Sequence, residues 1–165
     1  MKILKILLFT LVLGACATSP EARQKKMEER IRVAACIHDQ IVDMHFRINV
    51  SMMHPLRYPP KVLTSPYYLE VIGDSVVSYL PYMGQAYNVP YGGGKALNFE
   101  GKVVYSDVRQ EKAGKYYIVL DIDNEEALYR YDITTFDNGS SSIDIHTRER
   151  ESINFTGTME CPDNP

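Results

Sequence analysis

The feature that most constrains the fold is a strict alternation of apolar and polar residues that recurs along most of the chain. Six apolar side chains alternate with polar ones over residues 42–52, and the same period of two returns over residues 116–122. A period of two sends successive side chains to opposite faces of a strand, so that one face is buried. The first segment therefore predicts a long strand with Met44, Phe46 and Ile48 facing inward.

Turn signals separate further segments of this kind. Gly73-Asp74 and Asn138-Gly139 are dipeptides typical of tight hairpins, whereas the proline-bearing residues 53–66 predict an extended loop. The chain has 12 tyrosines and no tryptophan, and it is rich in β-branched residues, which favours strands. We predict a mainly β domain of about eight antiparallel strands, in a small barrel or a two-sheet sandwich. Its inward residues include Leu120, Ile143 and Phe155.

One helix is predicted before the strands. Ser19-Pro20-Glu21 has the residue types of a helix start, with serine at the N-cap and proline at the first helical position. Apolar residues then recur at helical spacing as far as His38. We expect this helix to pack on the β domain or to plug one end of a barrel.

The N-terminal segment has the layout of a secretory signal. Lys2 and Lys5 precede an apolar stretch over residues 6–13, which is too short to span a bilayer. The stretch closes on Leu13-Gly14-Ala15-Cys16, which resembles the lipobox of bacterial lipoproteins. The resemblance implies a signal peptide over residues 1–15, lipidation of Cys16, a spacer over residues 16–19 and one domain over residues 20–165. The alternative is an ordinary cleaved signal peptide in which Cys16 is coincidental.

A lipid on Cys16 would hold the protein on a membrane of the cell envelope. Ala17-Thr18 lacks the aspartate that commonly retains lipoproteins at the inner membrane. We therefore expect the outer membrane, with the domain in the periplasm or on the cell surface. The formal net charge is −3, without a basic patch, which argues against a nucleic-acid partner.

Two further cysteines, Cys36 and Cys161, remain for pairing. Outside the cytoplasm two such residues often form a disulfide, which here would tie the two ends of the domain together. Two separate thiols are the alternative.

Residues 79–94 have an unusual composition, with four tyrosines, two prolines and four glycines in 16 positions. Their L-P-Y-x-G-x-A-Y core resembles the domain-of-unknown-function 4251 family of bacterial lipoproteins. The resemblance extends over nearly the whole chain beyond the signal peptide, including the closing residues 153–157. It implies a lipoprotein with a compact β-rich domain, and it brings no activity, cofactor or catalytic residue.

This tyrosine-rich and glycine-rich segment is the candidate binding site. Tyrosine combines a flat apolar face with a polar tip, so such a loop could stack on a sugar ring or a peptide. We assign the ligand-binding role to Tyr82, Tyr87, Tyr91 and Gly92. The alternative is structural, with the tyrosines capping an open barrel end. The expected function is a non-catalytic envelope lipoprotein that binds a small ligand, a glycan or a protein partner, without a cofactor.

An envelope hydrolase is the alternative function. No catalytic motif and no metal-ligand spacing appear in the sequence, so no catalytic or metal-binding residue is assigned. Asp43, His45 and His146 are the least implausible participants, since Asp43 and His45 are expected to share the outer face of the first strand. Residues 149–151 have the composition of an exposed turn.

Overall fold

The computed structural model describes residues 20–87, 96–111 and 114–162. The chain divides into two compact units, Met1–Arg32 and Val33–Pro165. Helix α1 spans Pro20–Val42, which confirms the N-terminal helix and extends it past residue 38. Within the first unit, an ion pair of 2.7 Å joins Glu29 and Arg32, one helical turn apart. Among the described residues, no helix has both the length and the apolar character needed to cross a membrane.

Eight strands follow in the described part of the chain. Each pairs antiparallel with the next, and the last pairs with the first, so the sheet closes into a barrel. The mainly β prediction is confirmed, and closure decides for the barrel over the two-sheet sandwich. The strands are β1 His45–Pro55, β2 Lys61–Ile72, β3 Ser75–Tyr79, β4 Asn98–Glu111, β5 Lys115–Asp123, β6 Leu128–Phe136, β7 Ser140–His146 and β8 Ile153–Met159.

Apolar side chains fill the interior of the barrel. Phe46, Ile48, Leu120, Ile143 and Phe155 are all buried there, as the alternation predicts. An eight-stranded barrel is just wide enough for side chains to occupy its centre. Ligands are therefore to be sought at its two ends or on its outer surface.

The start of the first strand differs from the prediction. Val42 is the last residue of α1 and is exposed, and Met44 lies in the connection to β1 with a φ of 50°. A strand residue cannot adopt this left-handed conformation, so the chain reverses here before β1 begins. Met44 is half-buried against the core and is not part of the inward face of a strand.

The far end of β1 also departs from strict alternation. The pairing register shifts between Val50 and Met52, so that Met53 is buried in the position that the period assigned to Met52. A β-bulge adds one residue and moves the side chains beyond it to the opposite face.

The predicted loop over residues 53–66 is wrong in most of its length. β1 continues to Pro55 and β2 begins at Lys61, which leaves a loop of residues 56–60 only. Val50 pairs with Tyr67 and Met52 with Val62, so residues 63–66 form a bulge opposite a single residue of β1. Proline has no N–H to give to a ladder and is tolerated at such a bulge.

The barrel has two distinct ends. At the first, which we call the helix end, Ile37 and Ile41 of α1 are fully buried in the core. Cys36 and Cys161 form a disulfide at this end, with their Cα atoms 6.1 Å apart. The opposite end, which we call the loop end, carries the connections β1–β2, β3–β4, β5–β6 and β7–β8.

Candidate functional site

The tyrosine-rich segment belongs to the β3–β4 connection at the loop end. The two proposed ligand-binding tyrosines that are described differ in environment, since Tyr82 is half-buried against the core and Tyr87 is 63% exposed. Tyr91 and Gly92, the other two proposed ligand-binding residues, lie outside the described residues.

Tyr82 fastens the first half of this segment. Its hydroxyl, which has one proton to share, lies 2.9 Å from the carbonyl oxygen of Gln85 and 3.1 Å from that of Glu151. Burial raises the pKa of Tyr82, which keeps the hydroxyl protonated as a donor. A Cβ at Gly84 would lie 2.6 Å from this hydroxyl oxygen, so a larger residue there would require the Tyr82 ring to move. The role of Tyr82 visible here is to hold the loop.

The second half of the segment pairs with the β7–β8 connection. Ala86 and Arg150 form an isolated antiparallel bridge. The amide of Tyr87 donates to the carbonyl of Glu149 at 2.7 Å, and the amide of Glu151 donates to the carbonyl of Gln85 at 3.0 Å. Two connections of the loop end are thus joined by backbone hydrogen bonds. We call this paired stretch, residues 85–87 and 149–151, the base of the loop, and it carries the exposed ring of Tyr87.

Glu151 binds a third connection to the same base. The residue is 5% exposed, and its carboxylate accepts hydrogen bonds from the amide of Gln85, at 3.1 Å, and from the guanidinium of Arg57. The Gln85 hydrogen bond lowers the pKa of Glu151 most, and Arg57 and the Tyr87 hydroxyl lower it further, against the effect of burial. One buried carboxylate therefore holds the connections β1–β2, β3–β4 and β7–β8 together.

Arg150 is also buried at this end, at 8% exposure. Its guanidinium carbon lies 5.4 Å from the centre of the Tyr82 ring. Burial raises the pKa of Tyr129, and the charge of Arg150 nearby offsets part of that rise. The hydroxyl of Tyr129 donates to the carbonyl of Ala96 at 3.2 Å.

The exposed turn expected at residues 149–151 is therefore wrong, since Arg150 and Glu151 are buried and Glu149 is half-buried. A run of alternating charges in a sequence normally indicates a solvated surface, and only the folded chain brings Gln85, Arg57 and Tyr82 against these side chains. No pattern in the sequence indicated that Arg150 and Glu151 are buried at the base of the loop.

A second polar group lies on the outer face of β6–β8. The Nδ1 atom of His146 is 2.8 Å from the hydroxyl oxygen of Ser152, and its Nε2 atom is 3.6 Å from Asp132. His146 also lines a cleft of about 620 Å³ together with Arg130 and Arg148. His146 thus lies between a serine and an aspartate, although its distance to the aspartate is longer than a hydrogen bond.

Asp43 and His45, the other residues considered for a hydrolase, do not join this group. Asp43 lies in the turn after α1 and His45 begins β1, so both belong to the helix end, whereas His146 belongs to the loop end. The expectation that Asp43 shares a strand face with His45 is wrong, because Asp43 precedes the strand. Among the residues that the structure describes, no three His, Cys, Asp or Glu side chains are grouped to hold a metal ion.

Two of three comparisons with known proteins find matches to this chain. The model of DUF4251, a domain of unknown function, matches residues 28–159. A crystal structure of a DUF4251 family protein from Bacteroides eggerthii is similar at 13% identity, with a TM-score of 0.59, over 77% of this chain and 86% of that chain. At that identity the similarity shows the fold alone. A search of curated proteins finds no match.

Proposed function

Since the chain belongs to the DUF4251 family, whose function is unknown, we propose that it is a non-catalytic lipoprotein of the cell envelope. On this proposal the loop end binds a small ligand, a glycan or a protein partner. The proposed binding residues are Tyr87 and, from the sequence alone, Tyr91 and Gly92 of the same segment.

One observation carries the binding proposal. Tyr87 is 63% exposed, yet its backbone amide donates a hydrogen bond to the carbonyl of Glu149. The carboxylate of Glu151 also accepts a hydrogen bond from the amide of Gln85, which holds the same segment in place. Large aromatic side chains bind well when they are exposed on a rigid support, because little conformational freedom is lost on binding. Tyr58, which is 52% exposed, belongs to the neighbouring β1–β2 connection and adds a second aromatic side chain at this end.

The lipid anchor rests on the sequence Leu13-Gly14-Ala15-Cys16. Lipoprotein processing supplies several acyl chains, and several chains hold a protein on a membrane where one chain binds only marginally. Replacing Cys16 with Ala should therefore move the protein from the membrane fraction to the soluble fraction. A Cys16→Ala protein that still sediments with membranes would contradict the anchor.

The binding proposal is tested with two matched variants. Tyr87→Ala removes an exposed ring at the loop end, and Tyr105→Ala removes a ring of similar exposure on β4. Binding to soluble glycan and peptide fragments of the native envelope is measured with the Cys16→Ala protein as the parent. We expect Tyr87→Ala to weaken binding at least tenfold and Tyr105→Ala to leave it within twofold. Equal effects of the two variants would overturn the proposal.

A hydrolase is the second candidate, and the group of Ser152, His146 and Asp132 favours it. In such a mechanism His146 would take the proton of Ser152 as the serine oxygen attacks an ester carbonyl. The test is hydrolysis of p-nitrophenyl acetate, with Ser152→Ala compared against Ser140→Ala, an exposed serine at the helix end. This candidate requires activity that only Ser152→Ala abolishes. Activity unchanged in Ser152→Ala would remove it.

A further inference from the structure

Arg150 places a positive charge in the interior of the loop end, where a charge is normally paired with an opposite one. The residue is more than nine-tenths buried, and no Asp or Glu of the described residues forms an ion pair with it. A buried guanidinium loses its hydration, and that loss is ordinarily offset by a carboxylate held against it. Within residues 20–87, 96–111 and 114–162, no carboxylate takes that place.

The two nearest carboxylates along the chain are engaged elsewhere. Glu151 accepts hydrogen bonds from Arg57 and from the amide of Gln85. The carboxylate of Glu149 accepts a hydrogen bond from the hydroxyl of Thr147. Neither side chain turns to Arg150, although each is its neighbour in sequence.

Tyr82 and Tyr129 both contact the guanidinium of Arg150, and neither carries a negative charge that would neutralise it. The Tyr82 ring gives a cation–π contact, whose contribution is smaller than that of an ion pair in a desolvated place. No guanidinium nitrogen of Arg150 is both buried and without a partner either. In the described part of the chain, Oε1 of Gln40 is the buried side-chain polar atom without a partner, so each nitrogen of Arg150 is either bonded or reaches the surface.

We propose that Arg150 is an anion-binding subsite of the loop end, which takes a carboxylate or phosphate group of the ligand. This inference rests on the proposed binding function and names the chemical class of its ligand. The planar guanidinium offers parallel N–H donors that match the two oxygens of such a group. The buried cation over Tyr82 supplies the charge.

The test uses inorganic phosphate and acetate as probes on the full Cys16→Ala chain. Ionic strength is kept constant with chloride, and binding is followed by the amide NMR shifts of residues 85–87 and 149–151. Arg150→Gln is compared with Arg148→Gln, which removes the same charge from an exposed position two residues away. We expect one saturable site that Arg150→Gln weakens at least tenfold and Arg148→Gln leaves within twofold. The tighter of the two probes identifies the preferred group.

Several outcomes would overturn the inference. Arg150 is not a specific site if neither probe saturates. The same holds if Arg148→Gln weakens binding as much as Arg150→Gln does. Should Arg150→Gln fail to fold, Arg150→Lys is used, because an ammonium keeps the charge and loses the paired donors. Equal affinity of Arg150→Lys and the parent would then overturn it. Envelope fragments that depend on Tyr87 and not on Arg150 would remove this inference and leave the proposed function in place. The reverse result would support Arg150 as the subsite and contradict the role that the proposed function gives to Tyr87.

Discussion

At the scale of single residues, close backbone contacts decide which positions of the family motif accept a side chain. Gly157 of β8 lies opposite β1, and a Cβ built there would collide with the carbonyl oxygen of Asn49. Both groups belong to the backbone, so neither can move aside without displacing a strand. The glycine that closes the I-N-F-T-G segment therefore permits the contact that closes the barrel.

Gly157→Ala should accordingly destabilise the protein, by about 1–3 kcal/mol, as overpacking usually does. The free energy of unfolding in urea measures the effect. Gly73→Asn is the control, since nothing lies within 4 Å of the position and asparagine tolerates its φ of 62°. If both variants unfold at the urea concentration of the parent, the contact is not as close as described.

The lowered pKa of Glu151 predicts how the stability of the protein depends on pH. Its pKa is lowered in the folded protein, chiefly by the hydrogen bond from Gln85, so it stabilises the fold above its unfolded pKa. That stability is lost as the pH falls through the folded value. The thermal midpoint of the protein should therefore fall on acidification from pH 5 towards pH 3, and it should fall less in Glu151→Gln.

Glu126→Gln is the matched control for that experiment, because Glu126 is an exposed carboxylate of the β5–β6 connection. It should leave the acid profile of the thermal midpoint as in the parent. An identical acid profile in Glu151→Gln and the parent would mean that the carboxylate does not hold the loop end together.

At the scale of elements, the helix end depends on the last turns of α1. Ile37 and Ile41 are fully buried one helical turn apart, and Cys36 next to them is bonded to Cys161 beyond β8. The same few residues thus close the barrel and join the start of the domain to its end.

The disulfide should contribute strongly to stability. It closes a loop of 125 residues, and the chain-entropy model gives about 5 kcal/mol for a loop of that length. Cys36→Ser combined with Cys161→Ser should lower the free energy of unfolding by about 2–5 kcal/mol, measured in denaturant against the oxidised parent. Equal denaturation midpoints for the double variant and the oxidised parent would contradict this prediction.

At the scale of the whole molecule, the sequence predicted the fold better than the site. Alternation identified the strands and their inward faces, because burial of one face imposes a period of two. It failed where the ladder is irregular, as at the bulge before Met53, since one inserted residue inverts the period. Residues 63–66 were missed as part of a strand for the same reason, because their proline is accommodated by a bulge that composition does not reveal.

The loop end could not be predicted from composition. The tyrosines and glycines indicated where a site could be, but the roles of Tyr82 and Tyr87 differ by burial, which depends on the β7–β8 connection. Glu151 and Arg150 are 66 and 64 positions from Gln85 and Ala86 along the chain. Such long-range contacts leave no local pattern, so charged residues that hold a loop resemble ordinary surface charges.

The central claim is that the protein binds its ligand at the loop end, and mapping the contact surface tests it most directly. Amide NMR shifts of the Cys16→Ala protein are recorded with soluble fragments of the cell envelope in which we propose that it resides. We predict saturable shifts concentrated in residues 82–87 and 149–151. Shifts concentrated instead on the outer face around Val104 and Tyr105, or on the helix end around Ile37, would contradict the claim.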